Sequence, residues 1–108
     1  MISSAYKMLL ESKGYEVEVA ATAADAIATG ASEPHDLMLL DLTLPDADGL
    51  TVITGLTSRG LLPRSIFAFT GHGDSGTRQR CIAAGCDEVI VKPIPIHELL
   101  RMVTARMS

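Results

Sequence analysis

The chain has little that would staple it, anchor it or draw it to a charged surface. Cysteine is scarce, with two among 108 residues. Cys81 and Cys86 are too few for a disulfide framework and their spacing fits no zinc pattern, so both are expected reduced and mostly buried. No apolar stretch approaches the ~18 residues of a membrane span, and the opening MISSAYKMLLESKGY lacks the basic head and apolar centre of a signal peptide. A cytoplasmic setting without a membrane partner is the expectation. Positive charge is also short: nine Lys and Arg stand against thirteen Asp and Glu, a net charge of -4. That argues against direct nucleic-acid binding, which needs a basic face, and other proteins become the expected partners. No Ser/Gly-rich linker, repeat or low-complexity tract interrupts the chain, and its length fits one domain, residues 1–108. His35, His72 and His97 are scattered, which argues against a histidine metal site, although His72 follows Thr70 closely enough to touch a partner. Gly71-His72-Gly73 lacks the G-x-G-x-x-G and Walker lysine patterns, so it reads as a mobile loop and not a nucleotide cradle.

What the chain does have is apolar content, 47% of residues with a mean hydropathy of +0.28, enough to fill a core. Short apolar runs alternate with segments of helical period, the pattern of a parallel α/β sheet. Ile2, Ala5, Tyr6, Leu9 and Leu10 share one helical face that ends at Gly14, and Glu16 to Ala20 then alternates like a strand. Thr22-x-x-Asp25 forms a capping box for a second helix carrying Ala26 and Ile27, with Gly30 and Pro34 closing it before a strand from Asp36 to Leu42. Leu50, Ile53 and Leu56 mark a third helix, stopped by Gly60 and Pro63, and Ser65 to Thr70 is a buried strand. Asp74 can cap a fourth helix holding Cys81, Ile82 and Ala84 and ended by Gly85, with Arg78, Gln79 and Arg80 on its solvated face. Residues 87–91 make the last strand, and Ile96, Leu99, Leu100, Val103 and Met107 stripe the last helix. Five helices and four strands are expected, with the five methionines serving as core filler.

In DLMLLDLTLPDADGL, residues 36–50, an apolar run from Leu37 to Leu40 leads to a carboxylate, Asp41, where the strand should end. Thr70 and Lys92 fall at or just past the ends of two later strands. In open parallel sheets ligand chemistry gathers at that edge. One such residue alone would mark a solvated loop; three in matching places are expected to converge on a site.

The stretches LMLLDLTLPDADGL, IFAFTGHGD and CIAAGCDEVIVKP, in this order and spacing, resemble the receiver domain of two-component response regulators over nearly the whole chain. The resemblance implies a flavodoxin-like, doubly wound parallel sheet with helices on both faces. It also implies that Asp41, with Pro45 and Gly49 four and eight residues on, is the phosphoacceptor. Thr70 then corresponds to the family's hydroxyl residue, and Lys92, followed by Pro93, to its lysine. A carboxylate can act as nucleophile in phosphoryl transfer, and the surrounding groups position the phosphoryl oxygens and neutralise their charge. Lys92 would supply a point charge and Thr70 a hydroxyl donor. The family's Mg²⁺ would find Asp41 and the backbone carbonyl of Thr43 here. A histidine kinase or phosphotransfer protein would supply the phosphoryl group, and the domain would be a signalling module and not an enzyme.

The sequence also departs from the family. The first, central strand and its acidic pair would fall before Met1, and Ile2, Ser3 and Ser4 cannot replace carboxylates. Four strands are therefore readable, the metal site is expected to be incomplete, and Mg²⁺ binding weak. With the centre missing, either Glu16–Ala20 slides in beside Asp36–Leu42 or a second chain covers the exposed edges, and a homodimer or other self-association is expected in both cases. Val89 stands where the family carries an aromatic switch residue, and Gly71 at its small residue, so ring rotation cannot be the switch. The second functional class is a degenerate receiver that acts unphosphorylated as an interaction or dimerisation module. A flavodoxin-like nucleotide or flavin enzyme is disfavoured, because no Gly-rich phosphate loop follows a strand.

Overall fold

A computed structural model describes residues 4–71 and 75–107, with side chains from Tyr6 onward. Apolar runs and helical stripes fold in chain order as α1 (Ser4–Ser12), α2 (Ala23–Ser32), β1 (Leu37–Asp41), α3 (Leu50–Ser58), β2 (Ser65–Thr70), α4 (Ser75–Ala84), β3 (Glu88–Val91) and α5 (Ile96–Met107). The strands pair in parallel in the order β1-β2-β3. Period two then divides the core into two layers. Leu40, Ile66 and Ala68 face one way and pack with Val52, Leu56 and Cys81 of α3 and α4. Phe67, Phe69 and Ile90 face the other way and pack with Leu10 of α1 and Leu99 and Val103 of α5. The sheet is thus doubly wound, with helices on both faces, the flavodoxin-like α/β arrangement.

Local signals fix the helix ends. The Thr22 hydroxyl accepts the Asp25 N–H at 3.0 Å and caps α2. Gly60, at φ +69, terminates α3 in the left-handed region. Gly30, expected to close α2, lies inside it, because the absent side chain lets the helix approach Leu56: a Cβ there would sit 2.8 Å from a Leu56 methyl. Cys81 and Cys86 are free and buried. The methionines do not fill the core as expected. Met8 is 70% exposed and Met107 is exposed, while Met38 and Met102 only flank the two clusters. Ile82, expected on the apolar face of α4, is also exposed. Asp74, His72, Gly73 and Ile2 lie outside the described residues.

The fourth strand is the main correction. Residues 16–20 lie in no helix and belong to no ladder, so the described residues hold three strands and the segment has not slid in beside β1. The reason is spatial: this segment and β1 line one cavity of about 560 Å³ and are not paired with each other. The alternation in sequence arises because Tyr15 and Val17 pack on the α1/α5 layer while Glu16 and Glu18 remain exposed. That is one-sided burial without pairing.

Candidate functional site

The register decides which residues meet. Asp41 is paired with Phe69, and Thr70 with Val91, so Asp41, Thr70 and Lys92 stand at the carboxyl edge of three adjacent strands. Two bonds extend the sheet past its ends: Leu42 N–H donates to the Phe69 carbonyl and Lys92 N–H to the Thr70 carbonyl. The Lys92 Nζ reaches across β2 to Asp41 Oδ2 at 2.7 Å. Asp41 Oδ1 accepts the Thr43 N–H at 2.9 Å, so both carboxylate oxygens are held. Thr70 is buried at the end of β2 between them.

Asp41 is 7% exposed. Burial alone would push its carboxyl upward, but neighbouring donors, the Lys92 ammonium first and the Thr43 N–H among the others, hold it below the ordinary carboxylate value. The group is therefore ionised at neutral pH, with a cation already beside it. Lys92 keeps 42% of its side chain exposed, which leaves its ammonium free to follow charge placed on Asp41.

The loop after β1 folds back over Asp41. Gly49 N–H donates to the Leu42 carbonyl at 2.9 Å, and Thr43 bridges Asp48. A Cβ on Gly49 would collide with the backbone oxygen of Asp41 and lie 2.8 Å from Leu42 Cα, so this close approach requires glycine. Two acidic residues of the same loop carry contacts that no local sequence signal betrays. Asp46 accepts the Ala23 N–H at 2.7 Å and the Ala24 N–H at 3.2 Å, tying the loop to the start of α2. Asp48 accepts from Arg80 of α4 at 2.7 Å, which gives a partner to a residue otherwise read as mere solvated surface. The Leu50 N–H and then Arg80 hold the Asp48 carboxyl below its ordinary value. Val89, at the position of the expected switch, is half-buried and packs on the α3/α4 layer.

Magnesium prefers oxygen ligands in octahedral array and is bound through one or two carboxylates, waters and substrate phosphate. Among the described residues Asp41 joins no cluster of three ligand-bearing side chains, and its two oxygens are engaged by Lys92 and Thr43. The residues present do not fit a complete site. The three that do gather, Glu18, Glu33 and His35, with ligand atoms within 4.8 Å of one another, lie at the opposite end of β1.

The response regulator receiver domain model matches residues 1–104. The transcriptional regulatory protein KdpE of Mycobacterium tuberculosis is 35% identical over 104 residues, covering 96% of this chain and 45% of that protein. The chain thus spans less than half the length of this curated relative. Among solved structures, a CheY-like receiver domain protein from Methanospirillum hungatei superposes with a TM-score of 0.85 at 30% identity, over 96% of this chain and 82% of that one. A response regulator from Burkholderia pseudomallei, solved with a phosphorylated aspartic acid, calcium and citrate, gives 0.79 at 25% identity, over 97% and 65%. With the sheet edge, the ordered motifs and these likenesses in agreement, the chain belongs to the receiver domain family of two-component response regulators.

Proposed function

We propose that residues 1–108 act as one cytoplasmic receiver unit in which Asp41 accepts a phosphoryl group from a phosphohistidine on a kinase or phosphotransfer protein. The observation that carries this is the buried, ionised Asp41 carboxylate held 2.7 Å from Lys92. In the step, Asp41 Oδ2 attacks phosphorus, an O–P bond forms, and the P–N bond to the donor imidazole breaks with its electron pair passing to that nitrogen. Lys92 moves from the carboxylate to the charge on the phosphoryl oxygens, and the Thr70 hydroxyl donates to one of them. The change of charge at the sheet edge alters protein contacts, without the turning of an aromatic ring. Asp41 and the Thr43 carbonyl offer Mg²⁺ a weak foothold, so added Mg²⁺ is bound poorly and transfer is slow.

The test uses a small-molecule phosphodonor, acetyl phosphate, with Mg²⁺ and mass-spectrometric mapping. Label goes to Asp41 and is lost in Asp41→Asn. Label that survives the substitution refutes the assignment. No label on the parent chain at millimolar donor refutes phosphoacceptance and leaves the unphosphorylated interaction module.

A further inference from the structure

At the amino end of β1, three ligand-bearing side chains converge that the acceptor chemistry does not use. Glu33 ends α2 with an extended backbone, φ -161 and ψ 159, and Pro34 fixes the φ that follows. Side chains two apart in an extended stretch share a side, so Glu33-Pro34-His35 presents a carboxylate and an imidazole together. His35 is anchored in turn, because its carbonyl accepts the Arg64 N–H at 3.3 Å where the sheet begins. Glu18 comes from the other side. Val17 packs on the α1/α5 layer, and the next residue brings its carboxylate to the imidazole, with Glu18 Oε1 3.5 Å from His35 Nε2.

The imidazole is the informative group. Its Nε2 atom is shielded from solvent and has no hydrogen-bond partner among the described residues, since the Glu18 contact is not aligned as a hydrogen bond. A shielded polar atom left in this way is destabilising, and a cation on its lone pair removes the deficit. The carboxylates need a cation as well. Hydrogen bonding to Glu18, and then repulsion by it, push the Glu33 carboxyl above its ordinary value, and Glu16 adds to the repulsion. Geometry and donor type narrow the ion. Zinc bonds of about 2.0–2.2 Å in tetrahedral array set neighbouring ligand atoms about 3.3–3.6 Å apart, and the His35–Glu18 separation already has that value. All three ligand atoms lie within 4.8 Å of one another, and the exposed Glu33 side chain can close the remainder. Magnesium and calcium take oxygen ligands, whereas an imidazole nitrogen with two carboxylates suits zinc-class ions.

We propose that Glu18, Glu33 and His35 form a binding site for one divalent transition-metal ion of the zinc class, with water in the fourth position. Bound there, the ion ties residues 16–20 to the turn between α2 and β1. The site uses no atom of Asp41, Thr70 or Lys92 and stands whether or not Asp41 is phosphorylated.

The full chain, stripped of metal with a chelator and dialysed, is titrated with Zn²⁺ and followed by calorimetry and by the NMR signals of its three histidine rings, with His35 assigned from the signal lost in His35→Asn. The His35 ring signals should shift on binding while those of His97 stay in place, and Tm should rise. Glu18→Gln/Glu33→Gln, changed only at exposed side chains and checked for folding by circular dichroism, should bind Zn²⁺ at least about tenfold more weakly. Mg²⁺ at the same concentration should leave the His35 signals unmoved. An unshifted His35 ring on the folded parent at saturating Zn²⁺, equal affinity in the double variant, or an equal response to Mg²⁺ overturns the proposal.

Discussion

Replacing Gly49 by Ala tests how tightly the loop after β1 closes on Asp41. Gly49 has φ -56 and ψ -29, an ordinary helical conformation, so the new methyl meets no dihedral penalty. Its cost is spatial. The Cβ runs into the Asp41 carbonyl oxygen and comes within 2.8 Å of Leu42 Cα, and both are backbone atoms at the end of a paired strand. Neither can swing away as a side-chain tip can. Overpacking typically costs about 1–3 kcal/mol, and backbone on both sides puts this case near the upper end. The stiffer unfolded chain returns about 0.4–1 kcal/mol, leaving a net loss of roughly 2 kcal/mol. For a domain of this size that lowers Tm by roughly 8–16 °C. Gly71→Ala is the control, because a Cβ there meets nothing within 4 Å. Thermal unfolding by circular dichroism of both variants beside the parent decides. A Gly49→Ala protein melting with the parent would refute the close approach of loop and strand.

Lys92→Met removes the cation from Asp41 while burial stays, so the carboxyl rises and stability falls; with 42% of the lysine side chain exposed the loss is about 1–2 kcal/mol, measured by urea unfolding, and an unchanged midpoint contradicts the pairing. Because the Asp41 carboxyl is held below its ordinary 3.8, its contribution is full above that value and disappears as pH falls through the lower folded value, so the gap between parent and Lys92→Met should close in acid; a gap that persists there refutes the linkage. Burial pushes the Cys86 thiol up to about 12, so at pH 8 neither it nor fully buried Cys81 should react with a disulfide reagent until the chain unfolds, and rapid labelling of the native protein would deny their burial. Even-numbered residues of β1 bond β2, so in hydrogen exchange the Leu37 and Leu39 amides should exchange about tenfold or more faster than those of Met38 and Leu40; uniform protection along β1 would refute this alternation.

Much of the fold is legible because each readable element carries its own local signal. Apolar runs bounded by Gly or Pro give β1 and β2, and the Thr22 box gives the start of α2. Asp41 and Lys92 are legible as neighbours because each ends an apolar run, and a parallel sheet brings such ends to one edge. What depends on distant partners is not legible. Glu16–Ala20 alternates as a strand does, yet pairing requires a neighbour within reach, and period two reports burial alone. Gly30 reads as a helix stop, whereas its role is set by Leu56. The Asp48–Arg80 pair links residues 32 positions apart, and Asp46 reaches back 23, with nothing in either neighbourhood to announce them. Met8 and Ile82 read as core because their hydropathy is known and their exposure is not.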